Sequence, residues 1–198
     1  MSSRADRTSR QPSNWNVANA LTTLRLVLVP LFGWLLLAQD GDSAHLRVAA
    51  LAVFLAAAAT DRFDGDIARR RGLVTDFGKL VDPIADKALM GMAFVGLSLL
   101  GELPWWVTVV VMVREVGVTA LRFVVLRHGV IAASHGGKVK TALQTLALGL
   151  YIAPLPDSLT PVAVVTMVLA VVVTLVTGID YVFRALALRS SDQRADAV

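Results

Sequence analysis

Asp61-Arg-Phe-Asp64-Gly65-Asp66-Ile-Ala68-Arg69, followed by Gly78-Lys-Leu-Val-Asp82-Pro-Ile-Ala-Asp86, is the most informative stretch of this 198-residue chain. At about 100° per residue, Asp61, Asp64, Gly65 and Ala68 share one face of a helix. Gly78, Asp82 and Asp86 step by four and share another. Folded back at 72–75, an antiparallel pair sets Asp61 level with Asp86, Asp64 with Asp82, and Ala68 with Gly78. Four carboxylates then converge on the order of 15 Å from the turn, with the small residues between them and the turn. Like charges at that density repel strongly in a low dielectric, so they are protonated or neutralised by cations. All-oxygen donors without His or Cys favour a hard divalent ion, Mg2+ or Mn2+, which keeps coordination positions for water and phosphate. Gly65 and Gly78 let a bulky ligand approach the backbone. Arg69 suits a phosphate.

Two other readings compete for these charges. One is a set of helix-end charges solvated at an interface, which suits Asp66, Arg70, Arg71, Asp76 and Lys79. It fits Asp61 and Asp86 poorly, because they lie deep in their segments, where ionisable residues are costly. The other is a divalent-cation channel or transporter. That explains carboxylates in a membrane but not the glycines and arginine at fixed offsets.

The surroundings of this stretch are apolar. Hydrophobic residues make up 56% of the chain, yet it carries 19 basic and 15 acidic residues. Such a composition excludes a disordered chain and points to a polytopic membrane protein whose charges have work to do. The absence of cysteine rules out disulfides, thiolate metal sites and a cysteine nucleophile. His45, His128 and His135 are too scattered for a histidine metal site. The net charge of +4 suits an anionic membrane surface better than nucleic acid, because basic residues flank the apolar runs.

The expected fold is all-α and integral to the membrane, with six transmembrane helices near 17–38, 46–71, 77–101, 104–127, 139–155 and 159–183. Arg4, Arg7 and Arg10, then Arg69, Arg70, Arg71 and Lys79, then Arg127, Lys138 and Lys140, then Arg184, Arg189 and Arg194 mark one side. The alternate connections carry Asp40, Asp42, Glu102 and Asp157, with Arg47 the one basic residue there. The bias of Lys and Arg places both termini in the cytoplasm of a multi-pass protein. Residues 1–13 and 190–198 are expected to be disordered tails around a single domain, 14–189. The basic N-terminus and apolar 26–38 imitate a signal peptide, but no small-x-small site follows and Arg25 interrupts the run. Trp105 and Trp106 read as an interfacial belt.

The pattern D-x2-D-G-x2-A-R-x8-G-x3-D-x3-D closely resembles the signature of the CDP-alcohol phosphotransferases, and Asp61, Asp64, Gly65, Ala68, Arg69, Gly78, Asp82 and Asp86 match each fixed position. The resemblance extends through Asn19-Ala-Leu-Thr22-Thr-Leu-Arg25, the run from Thr75 to Lys87, Arg114-Glu115, Thr119-Ala-Leu-Arg122 and Gly137-Lys-Val-Lys-Thr, over about residues 16–184. Two departures are mild: Ala18 stands where proline often precedes the asparagine, and Asp66 adds a charge inside the signature.

The resemblance implies transfer of a phosphatidyl group from CDP-diacylglycerol to an alcohol, with release of CMP. It implies that Asp61, Asp64, Asp82 and Asp86 hold one or two Mg2+ or Mn2+ ions. Asn19, Thr22, Gly65, Arg69, Thr75 and Gly78 are expected to contact CDP-diacylglycerol. Asp86 is expected to accept the proton of the attacking hydroxyl. A homodimer in the bacterial plasma (inner) membrane, with the site facing the cytoplasm and no nucleic-acid partner, completes the expectation. The extended stretches favour glycerol 3-phosphate as acceptor. Its phosphate calls for a cationic pocket, for which Arg114, Arg122, Lys138, Lys140 and Arg184 are candidates. Alternatives within the family are a cardiolipin synthase and a phosphatidylinositol phosphate synthase.

Overall fold

The computed structural model describes residues 17–71, 76–125 and 135–195, with side chains over 23–60, over 84–121 apart from Asp86, and over 136–185. Among the described residues the fold is all-α, and no strand occurs. The six α-helices are α1 (Val17–Leu37), α2 (Ala44–Arg71), α3 (Asp76–Leu99), α4 (Trp105–Val125), α5 (His135–Ile152) and α6 (Thr160–Ala195). Short 3-10 turns at Ala38–Gly41 and Asp157–Leu159 precede α2 and α6. Thr23–Gly41 and Asp157–Ala185 are long and apolar enough to cross a membrane by length and composition, with mean hydropathy 1.4 and 2.7. Ala44–Thr60 and Lys87–Leu99 are shorter apolar helices.

The helix limits follow the expected ones except at α5 and α6. The Gly136-Gly137 pair, just before the expected start at 139, falls in the first turn of α5. α6 passes the expected end at 183 and reaches Ala195, entering the stretch expected as a C-terminal tail. Its last turns contain no Gly or Pro and several strong helix formers, so nothing local stops it.

One end of the bundle is closed by short connections. After α1, Gln39 (φ 55°), Asp40 (φ 52°) and Gly41 (φ 78°) take left-handed conformations in succession and reverse the chain. A Cβ on Gly41 would stand 2.9 Å from Leu100 Cδ1, so the turn docks directly on the end of α3. α3 ends in a Schellman arrangement: Glu102 N–H donates to Leu97 O (3.0 Å) and Gly101 N–H to Ser98 O (3.1 Å), with Gly101 at φ 75°. Arg47, at the start of α2, locks this end. Its Nη1 and Nη2 donate to Glu102 Oε1 and Oε2 at 2.6 and 2.7 Å, and Nη2 also donates to Tyr151 O at 2.8 Å. The exceptional basic residue of the acidic connections is thus a buried clamp on three segments.

The core runs along the bundle axis between α1, α2, α3, α4, α5 and α6. Phe32 and Phe54 meet at 5.6 Å between ring centres. Close helix approach rests on glycine: a Cβ on Gly96 would lie 2.7 Å from Leu36 Cδ2, and one on Gly33 2.8 Å from Met92 Sδ. Where lipid replaces water, such close packing supplies the cohesion that hydrophobicity cannot. Buried polar groups are tied between helices: Ser98 and Thr108 share a 2.7 Å hydrogen bond, and Gln144 Nε2 donates to Thr174 Oγ1 at 3.1 Å. The outer surface is apolar. Val165, Val168, Val172, Val176, Ile179 and Phe183 of α6 all point outward, as do Trp105 and Trp106 of α4. A contiguous apolar exterior of this extent suits lipid contact.

Candidate functional site

α2 carries Asp61, Asp64, Gly65, Ala68 and Arg69 towards its end, and α3 carries Gly78, Asp82 and Asp86 in its first half. The two helices pack against each other. The side chains of these residues, with those of Asn19 and Thr22 on α1 and Arg122 on α4, lie outside the described residues, as does Thr75 altogether. Their level-by-level pairing is therefore an expectation from the sequence. The donor set it supplies is four carboxylates without a soft ligand, which suits Mg2+ or Mn2+. Among the described residues there is no further group of three or more His, Cys, Asp or Glu able to hold a metal ion.

The described residues form a charged cluster that includes Lys87, the residue after Asp86 in the chain. Lys87 of α3, Arg114 and Glu115 of α4 and Lys140 of α5 converge. Lys140 Nζ donates to Glu115 Oε1 at 2.5 Å, and Arg114 Nη1 donates to the same oxygen at 3.0 Å. Lys87 Nζ lies 3.7 Å from Glu115 Oε2. Three cations thus surround one carboxylate. The side chains of Lys140, Arg114 and Glu115 are only 10%, 13% and 16% exposed. In so shielded a place an excess of positive charge is costly unless an anion joins it.

Arg114 is anchored on its other side by α6. Nε donates to Thr174 O and Nη2 to Thr177 Oγ1, each at 3.0 Å. Gly178 gives it room, since a Cβ there would stand 3.0 Å from Arg114 Cγ and Nε. The partners of this shielded arginine are therefore a carboxylate on its own helix and the backbone and hydroxyl of α6. A 100° separation of neighbours on a helix suggests that Glu115 points elsewhere, but the long arginine side chain bridges that gap.

The cluster opens on a cleft of about 450 Å3, part of it continuous with the outside, between α3, α4 and α5. Lys87, Glu115, Lys140, Thr141 and Gln144 form its polar wall, and Met90, Phe94, Val111, Met112 and Val116 its apolar wall. Of the expected acceptor residues, the structure brings Lys140 to this cleft and Arg114 to its rear. Lys138 is exposed on α5 and does not line the cleft. Arg184 is exposed on α6, where Nε meets Asp180 Oδ1 and Oδ2 at 3.1 and 3.0 Å. Lys87 and Glu115 were not among the expected site residues. The available signal was that each is an ionisable residue inside an apolar segment.

Comparison with known proteins agrees with the resemblance. Residues 15–176 match the family model described as CDP-alcohol phosphatidyltransferase. A probable phosphatidylglycerophosphate synthase of Mycobacterium tuberculosis (strain H37Rv) is 55% identical over 171 residues, 86% of this chain and 82% of the relative. A CDP-diacylglycerol–glycerol-3-phosphate 3-phosphatidyltransferase of Bacillus subtilis (strain 168) is 38% identical over 182 residues, 84% of this chain and 93% of the relative. One of the same name from Rickettsia typhi is 35% identical over 84% of this chain. The signature on α2 and α3, the family match over most of the length and these near-full-length relatives agree: the chain belongs to the CDP-alcohol phosphatidyltransferase family.

Proposed function

We propose that this protein transfers the phosphatidyl group of CDP-diacylglycerol to glycerol 3-phosphate, giving phosphatidylglycerophosphate and CMP in the synthesis of phosphatidylglycerol. The observation that supports the acceptor is the convergence of Lys87, Arg114 and Lys140 on Glu115, with Lys87 and Lys140 lining one cleft. An acceptor bearing a phosphate neutralises that excess charge; a neutral alcohol leaves it in place. The names of the relatives support the same donor and acceptor.

In this reading Asp61, Asp64, Asp82 and Asp86 hold one or two Mg2+ or Mn2+ ions. The ions, when bound, supply charge neutralisation on the donor pyrophosphate. Asn19, Thr22, Gly65, Arg69, Thr75 and Gly78 bind CDP-diacylglycerol, with Arg69 on a phosphate. Asp86 accepts the proton of the attacking hydroxyl. Lys140 and Lys87 meet the acceptor phosphate, Arg114 supports them from behind, and Arg122 and Lys138 extend the positive field. Arg184, paired with Asp180, contributes least.

The same reading has six spans and cytoplasmic termini in a bacterial plasma membrane, with 14–189 as the catalytic domain and a homodimer as the assembly. The apolar exterior of α6 and the distribution of Lys and Arg support it.

The test is release of CMP by the purified full-length protein, given CDP-diacylglycerol and Mg2+, with glycerol 3-phosphate, inositol phosphate and phosphatidylglycerol offered separately. Turnover with glycerol 3-phosphate is expected. Turnover confined to either other acceptor refutes the acceptor assignment. Ion flux in liposomes without CMP release refutes the enzyme in favour of a cation pathway.

A further inference from the structure

Among the described residues Glu115 is the one carboxylate in the cationic cluster, and it meets cations from three helices: Lys87 of α3, Arg114 of α4 and Lys140 of α5. We propose that Glu115 is a positioning residue, whose carboxylate holds the ammonium groups of Lys87 and Lys140 at one wall of the cleft so that they meet an incoming phosphate together. The inference rests on the acceptor reading above and assigns a residue that the reading leaves without a role.

The argument starts from what the two lysines do without an anion between them. Both ammonium groups sit on flexible stems and repel each other. Lysine in an apolar setting extends towards the headgroup region to keep its charge hydrated. Glu115 opposes both tendencies. One oxygen takes a hydrogen bond from Lys140, and the other lies within ion-pair distance of Lys87. Glu115 needs an orientation of its own, and Arg114 supplies it. Three donors of the guanidinium are spent on Glu115 Oε1, Thr174 O and Thr177 Oγ1, and Gly178 lets the stem lie flat on α6. Arg114 therefore acts on the carboxylate, while the lysines face the cleft. A lysine ammonium has three donors, and Lys140 places one on Glu115, leaving capacity for a phosphate oxygen. Lys87 stands at 3.7 Å, beyond hydrogen-bond distance, and can turn to a ligand without breaking a hydrogen bond to Glu115.

The experiment is a double-mutant cycle on the full-length enzyme, with initial rates measured against glycerol 3-phosphate at saturating CDP-diacylglycerol and the reverse. Glu115→Gln and Lys140→Met are each expected to raise KM for glycerol 3-phosphate by about tenfold, the weight of one charge-assisted hydrogen bond. KM for CDP-diacylglycerol should move by less than about twofold. The double variant should fall well short of the product of the two single effects, because part of what Glu115 does is done through that lysine. Multiplied effects overturn the proposal. So does an equal rise in both KM values, which is the mark of a structural role. A fall in KM for glycerol 3-phosphate in Glu115→Gln also overturns it, since the carboxylate then competes with the phosphate. If Lys140→Met raises that KM and Glu115→Gln does not, the positioning role falls and the acceptor reading stands. If Lys140→Met leaves it unchanged, the acceptor reading falls as well. Should Glu115→Gln fail to fold, the same cycle with Glu115→Asp, which withdraws the charge by one methylene, decides on the same criterion of non-multiplied effects.

Discussion

Arg114 lies flat across α6 at Gly178, so closely that a Cβ on the glycine would stand 3.0 Å from both Cγ and Nε of the arginine. This contact lets the guanidinium reach Thr174 O and Thr177 Oγ1 on one side and Glu115 on the other. It makes a small residue on α6 part of the charged cluster on α4.

Gly178→Ala should therefore impair function more than stability. The methyl displaces the arginine and weakens its bonds to α6, a cost of about 1–2 kcal/mol. Better helix propensity offsets roughly 1 kcal/mol of it. The midpoint of thermal unfolding in detergent should change by only a few degrees, while KM for glycerol 3-phosphate rises several-fold. An unchanged KM would falsify the link from Gly178 to the cleft.

Arg47→Ala should do the reverse. It removes a two-pronged pair with Glu102 and a bond to Tyr151 O at the end of the bundle that joins α1 to α2 and α3 to α4. Glu102 is about a third exposed and regains water, so the loss is about 2–3 kcal/mol, less than for a fully buried pair. Thermal unfolding should occur markedly earlier, with both KM values near those of the native protein at low temperature.

Gly96 and Gly117 separate packing from propensity. Gly96→Ala drives a methyl towards Leu36 Cδ2 at 2.7 Å, and Leu36, fully buried, must shift within the core. A loss of about 1–3 kcal/mol follows from overpacking. Gly117→Ala meets nothing within 4 Å and should be neutral or stabilising by up to about 1 kcal/mol. Equal effects of the two changes on thermal unfolding would contradict the close approach of α1 and α3.

Removal of divalent ions by a chelator should abolish CMP release, and Mg2+ or Mn2+ should restore it. Asp82→Asn and Asp86→Asn should each reduce turnover by at least about 100-fold, the scale on which loss of an electrostatic stabiliser acts. Near-native rates in either variant would remove that aspartate from the proposed metal set.

Much of this architecture is legible in the sequence. The helix limits were close because apolar runs, Gly and Pro breaks and charged flanks are local signals. α6 shows the limit of that reasoning: the apolar run stops near Phe183, yet the Ala, Leu, Arg and Gln residues beyond it are good helix formers and the helix continues to Ala195. In the candidate site, Arg114 and Lys140 stood out as cations in or beside apolar segments, and both belong to the cluster. Lys138 and Arg184 gave the same signal and lie exposed, because residue type does not reveal which way a helix face turns.

The class of chemistry was legible in the order of residues, because Asp61, Asp64, Gly65, Arg69, Gly78, Asp82 and Asp86 are bound by spacings within two adjacent helices, and helix geometry makes such spacing meaningful. The partnerships that hold the site and the bundle around it were decided by packing. Glu115 and Lys140 are 25 positions apart, Arg47 and Glu102 are 55, and Arg114 and Thr177 are 63. No local periodicity encodes those distances. A buried charge takes whichever counter-charge or hydroxyl the neighbouring helices bring within reach, and that choice exists only once the helices are assembled.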